Sequence, residues 1–320
     1  MPAKITSILR PSVVLALALS TLILALTSCN KQEKPAQAPA QVVQRTFASP
    51  DDAAKALVEA AKSDDRNDLL AIFGPESKAV IYSGDPERSK TEFAGFVSDY
   101  NVMHRWRKLD NSSEVLITGA DNKTFPIPLK KNAAGQWVFD TAAGQQEILS
   151  RRIGRNEIAA IDVCGAIVDA QRQYFSQPRD GMKQYAQKFI SDETKQNGLY
   201  WPSPEGQPRS PLGPLLAYAS AQGLQVKPDS HQPFYGYFFQ MLDKQGPDAK
   251  GGAKNYVVNG KMTGGFAVLA YPAQYGDSGI MTFIINQNGV VFEKDLGKTT
   301  DQVAAQITAF NPDKSWRMVE

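Results

Sequence analysis

The sequence predicts an α+β fold in two successive units, each with helices first and antiparallel strands after them. Three observations predict it. Apolar residues recur at helical spacing through 50–100 and again through 155–175. The spacing then shortens to the strand period, at 114–140 and at 235–292. Glycine- and asparagine-rich turns separate the short apolar runs, which favours antiparallel pairing over long parallel crossovers.

The first helix is announced by Ser49-Pro50-Asp51-Asp52. Serine suits the N-cap, proline the first helical position, and the acids complement the helix dipole. Ala54, Leu57, Val58 and Ala61 then fall on one face. A short helix over 68–73 is stopped by Gly74-Pro75, and Phe93, Phe96, Val97 and Tyr100 mark a third. Strands over 114–118, 125–129 and 137–140 follow as a small antiparallel meander. This outline is similar to a cystatin.

The second unit opens with the longest helical pattern, over 155–175, with Ile158, Ile161, Cys164, Val168 and Phe175 on one stripe. Cys164 therefore reads as a small apolar core residue. Met182, Tyr185 and Phe189 predict another helix. Residues 200–214 are proline-rich and irregular, and 215–221 form a short helix ended by Gly223. Strands are expected over 235–242, 266–271, 280–285 and 290–292, with Asn288-Gly289 turning the last pair. A closing helix covers 300–310. A long helix packed on an antiparallel sheet resembles the globular part of type IV pilins and type II secretion pseudopilins. The apolar stem of those proteins is missing, so assembly through a stem is not implied.

Residues 1–28 form an address. Lys4 and Arg10 precede an apolar run from Val13 to Leu26, as in a secretory signal. A spanning helix needs roughly 20 apolar residues, and this run is shorter. It ends in Leu26-Thr27-Ser28-Cys29, which resembles a bacterial lipobox. The resemblance implies cleavage before Cys29 and acylation of that residue. Two or more acyl chains hold a protein stably on a bilayer. Asn30 after the cysteine leans toward the outer membrane, facing the periplasm. Residues 29–46, rich in Gln, Pro, Ala and Lys, read as a tether. The units then run over 47–154 and 155–320.

Composition narrows the chemistry. The chain is 42% hydrophobic and 21% charged, which excludes a collagen-like, coiled-coil or wholly disordered protein. Thirty-five basic against 33 acidic residues leave no strongly basic surface for nucleic acid. Two His and two Cys supply too few ligands for a metal cluster, and no phosphate-cradling loop is present, so no metal or cofactor is expected.

Gly276-Asp277-Ser278-Gly279 resembles the nucleophile block of chymotrypsin-like proteases, which needs a His base. His104 and His231 are the only bases, and neither has that family's context. The block is more simply a turn. Paired acids such as Asp51-Asp52 and Asp64-Asp65 sit at helix starts and junctions. Aromatic residues carry the binding interest. Trp201, His231, Tyr235, Tyr237 and Tyr275 are the candidate ligand-cleft residues.

The blocks Tyr235-Gly236-Tyr237-Phe238-Phe239, Gly264-Gly265-Phe266-Ala267-Val268-Leu269-Ala270-Tyr271-Pro272-Ala273 and Gly279-Ile280-Met281-Thr282-Phe283 carry a specific resemblance. So do Ala170-Gln171-Arg172-Gln173-Tyr174-Phe175 and Val291-Phe292-Glu293-Lys294-Asp295-Leu296-Gly297. They resemble a family of bacterial exported proteins known as domain of unknown function 2950. The resemblance implies export and a shared fold, and brings no catalytic residues. The expected function is a lipid-anchored envelope protein acting as a non-enzymatic binding or scaffold module. Its expected partners are the membrane, through the lipid, and an envelope protein or cell-wall material. The alternatives are an envelope hydrolase using Ser278 and an accessory factor in pilus or secretion assembly.

Overall fold

The computed structural model describes residues 43–78, 86–204, 206–221 and 232–320. The stretch expected as a signal sequence, most of the expected tether, Cys29 and His231 lie outside the described residues. The structure is α+β, with every strand ladder antiparallel. Among the described residues no helix is long and apolar enough to cross a membrane.

Helices α1 (Pro50–Ser63), α2 (Arg66–Phe73) and α3 (Pro86–Val102) come first. Ser49 Oγ accepts from Asp52 N and caps α1, as its sequence requires. Asp65 likewise caps α2, accepting from Asn67 N and Asp68 N. Strands β1 (His104–Lys108), β2 (Ser113–Thr118), β3 (Lys123–Thr124), β4 (Leu129–Lys131) and β5 (Trp137–Phe139) form the first sheet, ordered β1-β2-β4-β5 with β3 on β2. Sequence periodicity misses β1, whose residues are mostly exposed and basic. It also places a strand at 125–129, where the ladder begins only at Leu129, because Pro126 and Pro128 lack an N–H to donate.

A first core gathers Leu57 and Ala60 of α1, Leu69, Ile72 and Phe73 of α2, and Leu129, Trp137 and Phe139 of the sheet. Phe73 and Phe139 meet edge to face at 5.0 Å. The chain is pinned from Gln44, whose Nε2 donates to Phe139 O at 2.7 Å. Packed chain thus begins at Gln44, within the stretch read as tether to residue 46.

Helix α4 (Thr141–Ser176) runs through residue 154, where the sequence divides the two halves, and so is longer than expected at its N-terminal end. The expected stripe holds only in part. Ile158 is 63% exposed. Cys164 and Val168 are buried as expected, and the buried face continues through Ala160, Val163, Ile167, Gln171 and Tyr174 rather than through Ile158. The second core joins that face to the larger sheet. Its strands are β6 (Tyr237–Leu242), β11 (Ala267–Pro272), β12 (Met281–Asn286), β13 (Val291–Asp295) and β14 (Arg317–Met318), ordered β14-β13-β12-β11-β6. Strand β11, apolar on both faces, is paired on both sides and buried. Gly289, at φ 79, closes the β12–β13 hairpin where Asn-Gly predicts it.

Small ladders β7 (Lys244–Gln245) with β8 (Lys254–Asn255), and β9 (Val257–Val258) with β10 (Lys261–Met262), are inserted in sequence between β6 and β11 of the large sheet. Helices α5 (Gly213–Ala221) and α6 (Thr300–Gln306) complete the fold. The helix expected around 182–189 is instead an irregular, hydrogen-bonded segment. Tyr185 N donates to Met262 O, and Tyr200 N donates to Phe189 O. Buried Gln171 pairs with Ala186 like a backbone, donating to its O and accepting from its N, each at 2.8 Å. These long-range bonds replace the local helical ones.

Candidate binding cleft

Helix α4 ends at Ser176, because Gln177 precedes Pro178 and proline disfavours helical geometry in the residue before it. Arg179 follows at once, in a tight turn. Its N–H donates to Met182 O and its carbonyl accepts from Met182 N. Asp180 and Gly181, at φ 49 and 79, supply the left-handed conformations that the turn requires.

This turn lays the Arg179 guanidinium on two aromatic faces. Its carbon stands 4.1 Å from the Tyr174 ring centroid and 5.6 Å from that of Trp201. Cation–π attraction of about 1 kcal/mol per contact and a planar fit hold the group in one orientation. Tyr174 is itself fixed, donating from Oη to Gln196 O at 3.1 Å. Burial raises its pKa, with Arg179 acting in the opposite direction. Arg179 Nε is buried and has no hydrogen-bond partner, and no acid pairs with the guanidinium among the described residues. A buried N–H left this way costs about 1–3 kcal/mol.

Arg179 lines a cleft of about 630 Å³ together with Tyr174, Tyr185, Lys188, Lys195 and Lys261. The lysines differ from the arginine in having acidic partners. Lys188 and Lys195 reach Asp192 at 2.6 and 3.5 Å, and Lys261 reaches Asp180 at 3.6 Å. The bond from Lys188, then that from Asn197, holds the Asp192 carboxyl at about 2. Arg179 is thus the cleft's uncompensated charge. The geometry suits recognition of an anionic or strongly hydrogen-bond-accepting group at the arginine, with aromatic surface beneath it.

A second cavity of about 280 Å³ lies by Phe125 and Pro126. Its Arg151 is already engaged, by Glu147 and by Thr124 O at 2.8 Å each.

The residues singled out by sequence scatter. Trp201 lies against Arg179, beside the cleft. Tyr237 is fully buried, donates from Oη to Met281 O at 2.9 Å, and is pushed far above the ordinary tyrosine range by burial. It is a core residue rather than a cleft residue, since its alternating position faces α4. Tyr235 is half-buried at φ 49, edge-on to Phe234 at 4.7 Å. Tyr275 donates to Asp295 Oδ2 at 3.2 Å, and that bond raises its pKa.

Trp201 and Tyr275 do not share a cleft. The turn holding Tyr275 is fastened to Asn156 and Glu157, whereas Trp201 and Arg179 stand by Tyr174. Those anchor points are separated along α4 by roughly 25 Å at about 1.5 Å per residue.

Ser278 serves the same turn. Its Oγ accepts from Gln274 N at 2.9 Å and donates to Gln274 O at 3.2 Å. His104 stacks on Tyr100 at 3.8 Å, with Nδ1 3.0 Å from Tyr100 O. Among the described residues no histidine or carboxylate is hydrogen-bonded to Ser278 Oγ. Cys164 is buried, and burial pushes its thiol up to about 12, so it is a poor nucleophile. No three His, Cys, Asp or Glu side chains gather as metal ligands among the described residues.

Sequence reasoning passes over Arg179 and its lysines. Their only local signal is Pro178-Arg179-Asp180-Gly181 after a helical pattern, which marks a turn and no more. The lysines are dispersed until the fold brings 188, 195 and 261 together.

A family model described as "Protein of unknown function (DUF2950)" matches residues 44–319. No curated protein and no solved structure matches the chain.

Proposed function

Since the chain belongs to the DUF2950 family, whose description names no activity, we propose a function from its own residues: a lipid-anchored envelope protein that binds a ligand and does no chemistry on it. Cys29 carries the acyl chains, and the tether lets the folded part stand off the bilayer. An outer-membrane position facing the periplasm follows from Asn30. The observation that carries the binding reading is the stacked, uncompensated Arg179 in an open cleft. A catalytic reading would want a nucleophile joined to a base, and Ser278 spends its hydroxyl on its own turn.

Labelling cells with an alkyne fatty acid tests the anchor. The wild type is labelled and sediments with membranes, and Cys29→Ala loses the label and becomes soluble. Cross-linking in intact cells tests the binding role. It recovers an envelope protein or cell-wall fragment from the wild type. Recovery of pilus or secretion components assigns the partner to assembly. Turnover of a defined substrate that is lost in Ser278→Ala contradicts the binding reading.

A further inference from the structure

Resting on the binding reading, we propose that the cleft at the end of α4 is an oxyanion site, in which Arg179 grips a carboxylate or phosphate borne by a compact polyhydroxylated ligand. The guanidinium is the observation that chooses the charge. It is held by Tyr174 and Trp201, which cover its faces, while its buried Nε has no hydrogen-bond partner and no acid pairs with the group among the described residues. Guanidinium edges match the two oxygens of a carboxylate or phosphate. A neutral ligand would leave that edge's charge uncompensated.

The surrounding groups reinforce this choice. Lys188, Lys195 and Lys261 line the same cleft, so four cations face one lining acid, Asp180. Asp180 and Asp192 orient the lysines and partly screen them, which leaves the arginine the strongest positive point. Salt bridges at exposed positions are weak and easily exchanged, so an incoming anion can compete for the lysines. The cavity of about 630 Å³ admits a sugar-sized molecule and is too small for a folded partner. Gln184, Gln187, Gln196 and Asn197 border it; Asn197 is tied to Asp192 and the Gln184 and Gln187 amides donate to Arg179 O and Gly260 O, so a ligand hydroxyl donates to the glutamine oxygens.

The test is calorimetric titration of the full acylated chain in detergent with D-glucuronate, glucose 6-phosphate and glucose at low salt. The expected result is binding of at least one charged sugar tenfold or more tighter than glucose, weakened by added salt. Preference for glucuronate assigns a carboxylate, and preference for glucose 6-phosphate assigns a phosphate. Arg179→Gln brings the charged sugar to the level of glucose. If that variant does not fold, Lys195→Gln and Lys261→Gln each weaken binding about threefold by removing one attraction in the cleft. Equal binding of the three sugars, binding of none, or unchanged affinity in the variants overturns the oxyanion site. The binding reading is scored separately, since cross-linking to an envelope partner survives if only the ligand's charge is wrong.

Discussion

The two parts of helix α4 make contrasting contacts with the loops they meet. In its first half, α4 seals the turn over 274–280. Arg152 pairs with Asp277, Asn156 Nδ2 donates to Ser278 O, and Glu157 Oε1 accepts from Ile280 N and Met281 N. At its far end, the Tyr174 ring supports an arginine whose buried Nε has no hydrogen-bond partner. The first arrangement spends its polar groups on the fold. The second keeps one in reserve, at a cost to stability that a ligand repays. A block that looks catalytic in sequence is therefore architecture, and a cleft without any motif is the place to look for binding.

The largest effect expected from perturbing the sealed end is that of Gly279→Ala. A Cβ there collides with Tyr237 Oη in the buried seam. Overpacking and loss of the Tyr237 hydrogen bond together destabilise by about 4 kcal/mol. Chemical denaturation reads this, and Tyr237→Phe added to Gly279→Ala recovers part of the loss.

Gln171→Leu strands the Ala186 N–H and carbonyl in the core and costs about 3 kcal/mol. Glu157→Ala removes the acceptor shared by two amides and costs about 2 kcal/mol. Thermal unfolding should show both, at about 2–4 °C per kcal/mol for a unit of this size. A Glu157→Ala variant as stable as the wild type breaks the contrast, since the sealed end would then contribute nothing.

Cys164 supplies a pH test. Its thiol rises from 9.0 to about 12 on folding, because burial penalises the thiolate. The folded state therefore holds its proton more tightly than the unfolded state. The stabilisation is complete below pH 9.0 and is lost as pH rises toward about 12. Denaturation midpoints should fall between pH 9 and 11 and fall less in Cys164→Ala. Iodoacetamide should leave Cys164 unmodified at pH 8 until denaturant is added.

The smallest change in stability is expected at the open end. Arg179→Gln removes an unsatisfied buried N–H along with two cation–π contacts, and these offset to within about 1 kcal/mol. A loss as large as that of Glu157→Ala would show that both ends are structural.

Much of the fold is legible in the sequence, and most of the site is not. Ser49 and Pro50 mark α1, Gly74-Pro75 ends α2, and Asn288-Gly289 turns the last hairpin, because each acts through its own backbone. The 182–189 segment misleads because Tyr185 and Phe189 have helical spacing, yet their backbones bond to Met262 and Tyr200. Ile158 misleads because it shares helical spacing with Cys164 and Val168, and only packing decides that the buried face runs through Ala160 and Val163 rather than through it. Trp201 is flagged by its chemistry, but the charge beside it comes from Arg179, and the lysines come from segments up to 82 positions away. No local pattern encodes such a meeting.

Ligand-induced shift of the melting temperature, measured side by side for the wild type and Arg179→Gln, tests the central claim most directly. The account predicts equal melting without ligand, a rise for the wild type with saturating glucuronate or glucose 6-phosphate, and no rise for the variant. An equal rise in both proteins, or a variant that melts many degrees lower before any ligand is added, contradicts it.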